Sequence, residues 1–259
     1  MSALGRRRDE RVLRDRPIPD ELWALTLARF AFIGRRAPDD LDRLRRLATL
    51  FLARKEFTGA QGLEVTDEMA VAIAAQACLP ILELGLDWYD DFVGIVVQPD
   101  EVVARREVTD DDGIVHEYDE PLTGEAMPGG PVMLSWHDVL AAQETLDADE
   151  VVYNVVVHEF AHVLDMRDGV ADGRPPLEGG PAARHAWDAL IGGALDELRR
   201  AVDAGEESVL DPYAAEGPEE LFAVASEAFF VAPQALRDEW PELYGLLAGF
   251  YRQDPAASS

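Results

Sequence analysis

The sequence predicts an α+β fold, mainly helical with a small, mostly antiparallel sheet. Three observations lead there. Leucines recur at helical spacing in 41–57, and 66–79 opens on a cap residue with acids in its first turn. Four short β-branched runs crowd between residues 92 and 136. Helical patterning then returns at Asp149 and continues to about residue 252. Helices, then strands, then helices describe segregated elements rather than alternating βα units. We read residues 1–16 as a flexible N-terminal arm, 17–253 as a single domain and 254–259 as a disordered tail.

Each element has a local reason. Residues 1–16 are charged and aperiodic, whereas "LDRLRRLATLFLARKEF" (41–57) repeats its leucines with helical period. "TDEMAVAIAAQACL" (66–79) opens on Thr66 as an N-cap, with acids in the first turn. The runs 92–99, 101–108, 113–120 and 131–136 are bounded by turn residues, and "TDDDG" (109–113) reads as a hairpin turn. The stretch "GGPVMLSW" (129–136), which includes the last run, reads as an edge strand open to an extended peptide. Ser135 and Asp138 form a capping-box pattern ahead of a short helix. The later helices are expected at 149–165, 181–203, 217–231 and 234–252. The Gly/Pro-rich loop 166–180 between the first two reads as a cover over whatever 149–165 carries.

Composition excludes several classes of function. The 259 residues include 48% hydrophobic and 29% charged side chains, as in an ordinary globular protein. The net charge of −28 repels phosphate backbones and anionic headgroups, so no nucleic acid and no membrane is expected as partner. Cys78 is the only cysteine, which excludes an internal disulfide and fits a cytoplasmic protein. The most apolar stretch, 70–82, is too short to span a bilayer and contains Gln76 and Pro80.

The chemistry concentrates in "VVYNVVVHEFAHVLDM" (151–166), which spends two of the chain's five histidines inside an apolar run. On a helix His158 and His162 stand one turn apart on one face, with Glu159 about 100° round from His158. That arc can offer two imidazoles to one Zn²⁺ and a carboxylate to a water whose pKa the metal lowers to about 7. A catalytic zinc site needs a third protein ligand. The pattern H-E-x-x-H-x-x-G-x-x-H does not supply it, because Asp165 stands at the glycine position and Asp168 at the last ligand position. A later helix, "DPYAAEGPEELFAVASEAFF" (211–230), offers Glu219, Glu220 and Glu227. Pro218 suits a first helical position, which puts Glu219 and Glu220 in the first turn and Glu227 on nearly the same face as Glu220. Chemistry alone does not separate these three acids. Asp165 reads equally as a partner for a histidine and as an acid bonded to the following loop.

The stretches "KEFTGAQGLEVTDEMAVAIAAQACLPILELGLDWYDDF", "GPVMLSW", "VVHEFAHVLDM" and "DPYAAEGPEELFAVASEAFF" resemble, in register from about Arg54 to Phe230, the Mlc titration factor A family of zinc metallopeptidases. That family is similar to the catalytic domain of anthrax lethal factor, so the resemblance implies a zincin-like fold with a gluzincin ligand arrangement around the HExxH helix. It implies His158, His162 and Glu220 as ligands of one Zn²⁺ per chain, Glu159 as general base and Tyr213 as the donor to a developing oxyanion. It implies a peptide or protein substrate and aminopeptidase-like cleavage. It also implies a transcriptional repressor as partner, and with it the alternative of a regulatory binding protein in which the metal is secondary.

Overall fold

The computed structural model describes residues 3–100, 102–109, 115–122, 124–127, 129–142 and 152–257. Four helices come first: α1 (Ala3–Asp15), α2 (Asp20–Arg29), the single turn α3 (Ala31–Gly34) and α4 (Pro38–Leu52). The flexible arm expected at 1–16 is thus a helix through Asp15, and Asp9 pairs with Arg54 Nη2 at 3.0 and 3.1 Å. Pro38 and the acids Asp39 and Asp40 start α4, and Leu44, Ala48 and Phe51 lay one buried stripe along it. The helix stops at Leu52, short of the expected residue 57, and Glu56–Gly59 becomes strand β1. Helix α5 (Asp67–Cys78) follows, capped as expected by Thr66, whose Oγ1 accepts Met69 N–H at 3.3 Å. Nearly all of it is buried, which is why its apolar residues show no preferred face.

After a 3-10 turn at Leu86–Tyr89 come β2 (Gly94–Gln98), β3 (Val102–Thr109), β4 (Val115–Leu122), β5 (Gly124–Ala126) and β6 (Val132–Ser135). The mostly antiparallel sheet expected from the sequence is not what forms. In the main sheet, ordered β1-β2-β6-β5, β1 runs parallel to β2 (Phe57 opposite Ile95) and β2 parallel to β6 (Ile95 opposite Val132). Only the three-residue edge strand β5 opposes its neighbour, with Gly124 opposite Leu134. Strands β3 and β4 pair with each other as a separate antiparallel ribbon, and most of the hairpin turn expected at 109–113 lies outside the described residues.

The error has a physical origin. Parallel neighbours need a long crossover. Helix α5 provides one between β1 and β2, and the stretch holding the β3–β4 ribbon provides the other between β2 and β6. Four consecutive β-branched runs look like a meander, and a four-residue first strand leaves too short a pattern to show a period. The expected edge strand at 131–136 also moves inward: β6 has neighbours on both sides, and β5 is the edge.

The remaining helices are α6 (Trp136–Ala141), α7 (Val155–Asp165), α8 (Gly180–Ala204), α9 (Pro218–Val231), α10 (Pro233–Glu239) and α11 (Pro241–Tyr251). Ser135 caps α6, its Oγ accepting Asp138 N–H at 3.3 Å. Helix α7 begins at Val155, since Val152–Asn154 are not helical, and Asn154 caps it by accepting Val157 N–H at 2.9 Å. The helix expected at 234–252 is two, because Pro241 drives Trp240 out of helical geometry (φ −122°, ψ 63°). The tail expected at 254–259 is seated as far as Ala257: Ala256 N–H donates to Tyr244 Oη at 3.0 Å, and Tyr244 Oη to Asp254 at 2.6 Å.

Helix α7 lies at the centre of the molecule, packed on α5, α6, α9, β5 and β6. Its back face carries Phe160, whose ring lies 5.8 Å from Phe51, 5.1 Å from Tyr89 and 5.9 Å from Phe92, all edge-on or tilted. Tyr89 Oη is satisfied by Ala77 O at 2.8 Å. Lys55 crosses under this cluster, donating to the carbonyls of Tyr89 and Phe92 with its ammonium 3.6 Å from the Phe92 ring centroid.

Burial holds the Lys55 pKa down, from 10.5 to about 8. Unfolded lysine keeps its proton up to about pH 10.5, so between pH 8 and that value the unfolded state of this group binds more protons and its contribution to stability rises with pH. Urea denaturation across this window should show stability rising more, or falling less, in wild type than in Lys55→Met, since the raised Cys78 and Tyr89 act the other way in both proteins. Identical pH slopes for the two proteins would contradict this account of Lys55.

Candidate metal centre

His158 and His162 project from α7 toward α9, and the first turn of α9 brings Glu220 to meet them. His158 Nε2 lies 3.1 Å from His162 Nε2 and 3.2 Å from Glu220 Oε2, which is 3.5 Å from His162 Nε2. Ligands about 2.0–2.1 Å from one tetrahedral ion stand ~3.3 Å apart, the spacing these atoms have. Glu220 Oε2 is buried and has no hydrogen-bond partner, although both imidazoles face it. Three lone-pair donors gathered this closely repel one another unless a cation or a proton sits among them. The donor set therefore fits a metal ion.

Two groups fix the outer side of this cluster. Glu227, two turns along α9 and 2% exposed, accepts from His158 Nδ1 at 2.8 Å. That bond assigns the Nδ1 proton and leaves the Nε2 lone pair aimed at the cluster. The other oxygen of Glu227 accepts the backbone N–H of Asn154. Asn154 in turn donates Nδ2–H to Gln76 Oε1 at 2.9 Å while its own oxygen caps α7, and Gln76 Nε2 donates to Ala72 O at 3.2 Å. A continuous chain of buried polar groups thus runs from α5 through the start of α7 to α9 and back to the imidazole.

The electrostatics follow. Burial pushes the Glu220 carboxyl up, and the two histidines more than reverse it, leaving its pKa at about 2. For His158 burial acts to lower basicity, but Glu220, Glu227 and Glu159 hold the imidazole well above 6.5. A point that binds a proton this firmly also favours a metal cation. Glu159 is 5% exposed and its carboxyl is raised by burial, with His158 and His162 pulling the other way. It turns from the imidazoles toward edge strand β5, where a Cβ on Gly124 would stand 2.5 Å from Glu159 Oε1. Only glycine leaves room for the carboxylate there. Tyr213 sits in a 3-10 turn (Pro212–Ala215) capped by Asp211, which accepts Tyr213 N–H at 2.8 Å. It is 43% exposed, and its ring centroid is 6.2 Å from that of His158.

The structure thus brings together His158, His162 and Glu220, with Glu159 and Tyr213 beside them. Among the three acids left open by chemistry, Glu220 reaches the cluster, Glu227 stands behind a histidine, and Glu219 is not among the converging groups. Asp165 bonds to the following loop, accepting Gly173 N–H at 2.8 Å, and burial lifts its carboxyl to about 6. The sequence reading missed Asn154, Gln76 and Gly124. An asparagine immediately before the apolar run "VVVHEF" was a cap signal that would have started the helix in the right place.

A central helix offering two histidines one turn apart, joined by a carboxylate from a second helix, is a donor set of the kind that can hold a metal ion. The chain belongs to the family described as glucose-regulated metallo-peptidase M90, whose model matches residues 4–252. It is similar to Mlc titration factor A of Edwardsiella ictaluri (strain 93-146), 40% identical over 220 residues that cover 84% of this chain and 82% of that one. It is also similar to the proteins of that name from Klebsiella pneumoniae (strain 342), 37% identical over 90% of this chain and 86% of that one, and Salmonella arizonae, 37% identical over 92% of each. No helix among the described residues is long and apolar enough to cross a membrane.

Glu227→Ala leaves His158 Nδ1 and Asn154 N–H without their acceptor in a buried site, at about 1–3 kcal/mol for each group. Urea denaturation of this variant should show a loss of about 2 kcal/mol or more; a change within ~0.5 kcal/mol would mean that the polar chain does not hold α7 to α9.

Proposed function

We propose that this chain is a zinc-dependent peptidase, with the ion held by His158, His162 and Glu220, Glu159 as general base and acid, and Tyr213 as oxyanion donor. The observation that carries this reading is the meeting of three lone-pair donors within 3.5 Å between α7 and α9. Two imidazoles and one carboxylate are a donor set suited to zinc, which when bound acidifies water to a pKa of about 7 and polarises a carbonyl oxygen.

The chain's own residues do the rest. Glu159, held by burial at a raised pKa, takes a proton from the attacking water and returns it to the leaving amine. The exposed Tyr213 phenol donates toward the carbonyl oxygen as negative charge grows on it, an interaction that strengthens only in the transition state. Edge strand β5 lies beside Glu159, and an extended peptide aligned along it would bring a scissile bond past the carboxylate.

Aminopeptidase-like cleavage is supported by the sequence resemblance described above. The name shared by the relatives, Mlc titration factor A, supports a second role, binding of a transcriptional repressor as the same resemblance implies. A cytoplasmic setting is supported by the single, buried, free Cys78.

Glu159→Gln should keep zinc at wild-type stoichiometry and lose turnover of peptides or amino-acid anilides by about 10²–10⁴-fold, the usual share of a general base. Unchanged turnover in a zinc-loaded Glu159→Gln protein would remove this mechanism.

A further inference from the structure

Loop 166–180 leaves α7 four residues after His162, and its Gly/Pro content reads as a movable cover. The structure ties it down instead. Gly173, buried at its middle, is held from three directions. Its N–H donates to Asp165 Oδ2 on α7 at 2.8 Å, and its carbonyl accepts Trp187 Nε1–H from α8 at 2.8 Å. Its third side lies against the start of α9: a Cβ there would stand 2.2 Å from Pro218 O and 2.9 Å from Glu219 N. Its φ of +72° is one that glycine adopts without strain. The next residue, Arg174, grips both oxygens of Asp188 on α8 at 2.8 and 2.9 Å. One glycine therefore touches the helix that carries both histidines and the Pro218–Glu219 peptide in the turn that carries Glu220.

We propose that Gly173 is a positioning residue, a spacer without a side chain that sets how closely the first turn of α9 approaches α7 and so whether Glu220 reaches the imidazoles. Loop 166–180 is on this account a strut between the two halves of the centre. The inference rests on the zinc-site reading above and assigns the residue that fixes its third ligand.

The magnitudes make the coupling tight. Ordinary contact with a Cβ begins near 3.4 Å, so an alanine methyl 2.2 Å from Pro218 O must push the chain back by roughly an ångström. Metal–ligand bonds tolerate about 0.2 Å. Glu220 is the second residue after Pro218 on a rigid first turn, so it moves with that turn.

Gly169 provides the control. It lies in the same loop with φ +98°, but a Cβ there meets nothing within 4 Å, so Gly169→Ala carries backbone strain without the push on α9. The test is zinc affinity by competition with a chromophoric chelator, on full chains whose folding is checked by circular dichroism. Gly173→Ala should weaken zinc binding by about tenfold to a hundredfold, the range seen when support of a ligand is lost, and Gly169→Ala should leave it unchanged. In a Glu220→Ala background Gly173→Ala should cause no further loss, because the effect passes through Glu220. Equal affinity in the two alanine variants, or an undiminished loss without Glu220, overturns the proposal. Should Gly173→Ala fail to fold, Trp187→Phe replaces it in the same cycle, dropping one bond to the Gly173 carbonyl; a smaller loss, again absent without Glu220, is expected, and no dependence on Glu220 overturns the proposal. A wild type whose zinc affinity is indifferent to Glu220→Ala overturns the zinc-site reading itself, and this inference with it.

Discussion

Two imidazole nitrogens from one helix and a carboxylate oxygen from another are forced to within 3.5 Å of one another in a half-buried site. Without a shared cation or proton, nothing in that arrangement is self-stabilising. Each group would be better solvated apart, and their lone pairs oppose each other until a cation or proton intervenes. The architecture has to hold α7 and α9 together against this cost. Apolar packing does much of it: every residue of α9 from Leu221 to Val231 is buried, and Phe160 anchors the far side of α7 among Phe51, Tyr89 and Phe92. The polar run Gln76–Asn154–Glu227–His158 adds direction, since hydrogen bonds fix ring orientation and tautomer where packing only fixes distance.

The same frame explains where the reactive carboxylate sits. Glu159 is adjacent in sequence to a candidate ligand but points round the helix toward β5, into a space that exists because residue 124 has no side chain. Twice among the described residues a missing Cβ makes room beside the candidate centre, at Gly124 for a carboxylate and at Gly173 for a helix terminus. The second case recasts the loop after α7, which looked like a cover in sequence and is pinned to α7, α8 and α9 in the fold.

Legibility in the sequence followed the range of the interactions. Local chemistry was readable: Thr66 and Ser135 as caps, Pro218 opening α9 with its acids, and two histidines one turn apart. The burial of Glu227 has a local sign too, in its apolar neighbours Ala225, Ala228 and Phe229. The parallel sheet was not readable, since β1 is four residues long and follows directly on the α4 pattern, and its partner lies beyond a whole helix. Nor could spacing alone choose among Glu219, Glu220 and Glu227, because the choice depends on how α9 crosses α7; the family resemblance supplied what local reasoning lacked. Two boundary errors were avoidable. Asn154 marked the start of α7, and Pro241 marked the break between α10 and α11.

The most direct measurement is zinc K-edge X-ray absorption on the purified, zinc-loaded chain. The account predicts two imidazole nitrogens and carboxylate oxygen in the inner coordination sphere at about 2.0–2.1 Å, with one imidazole lost in His162→Ala and the carboxylate lost in Glu220→Ala. A spectrum with fewer than two imidazoles, or one that neither substitution alters, would contradict it.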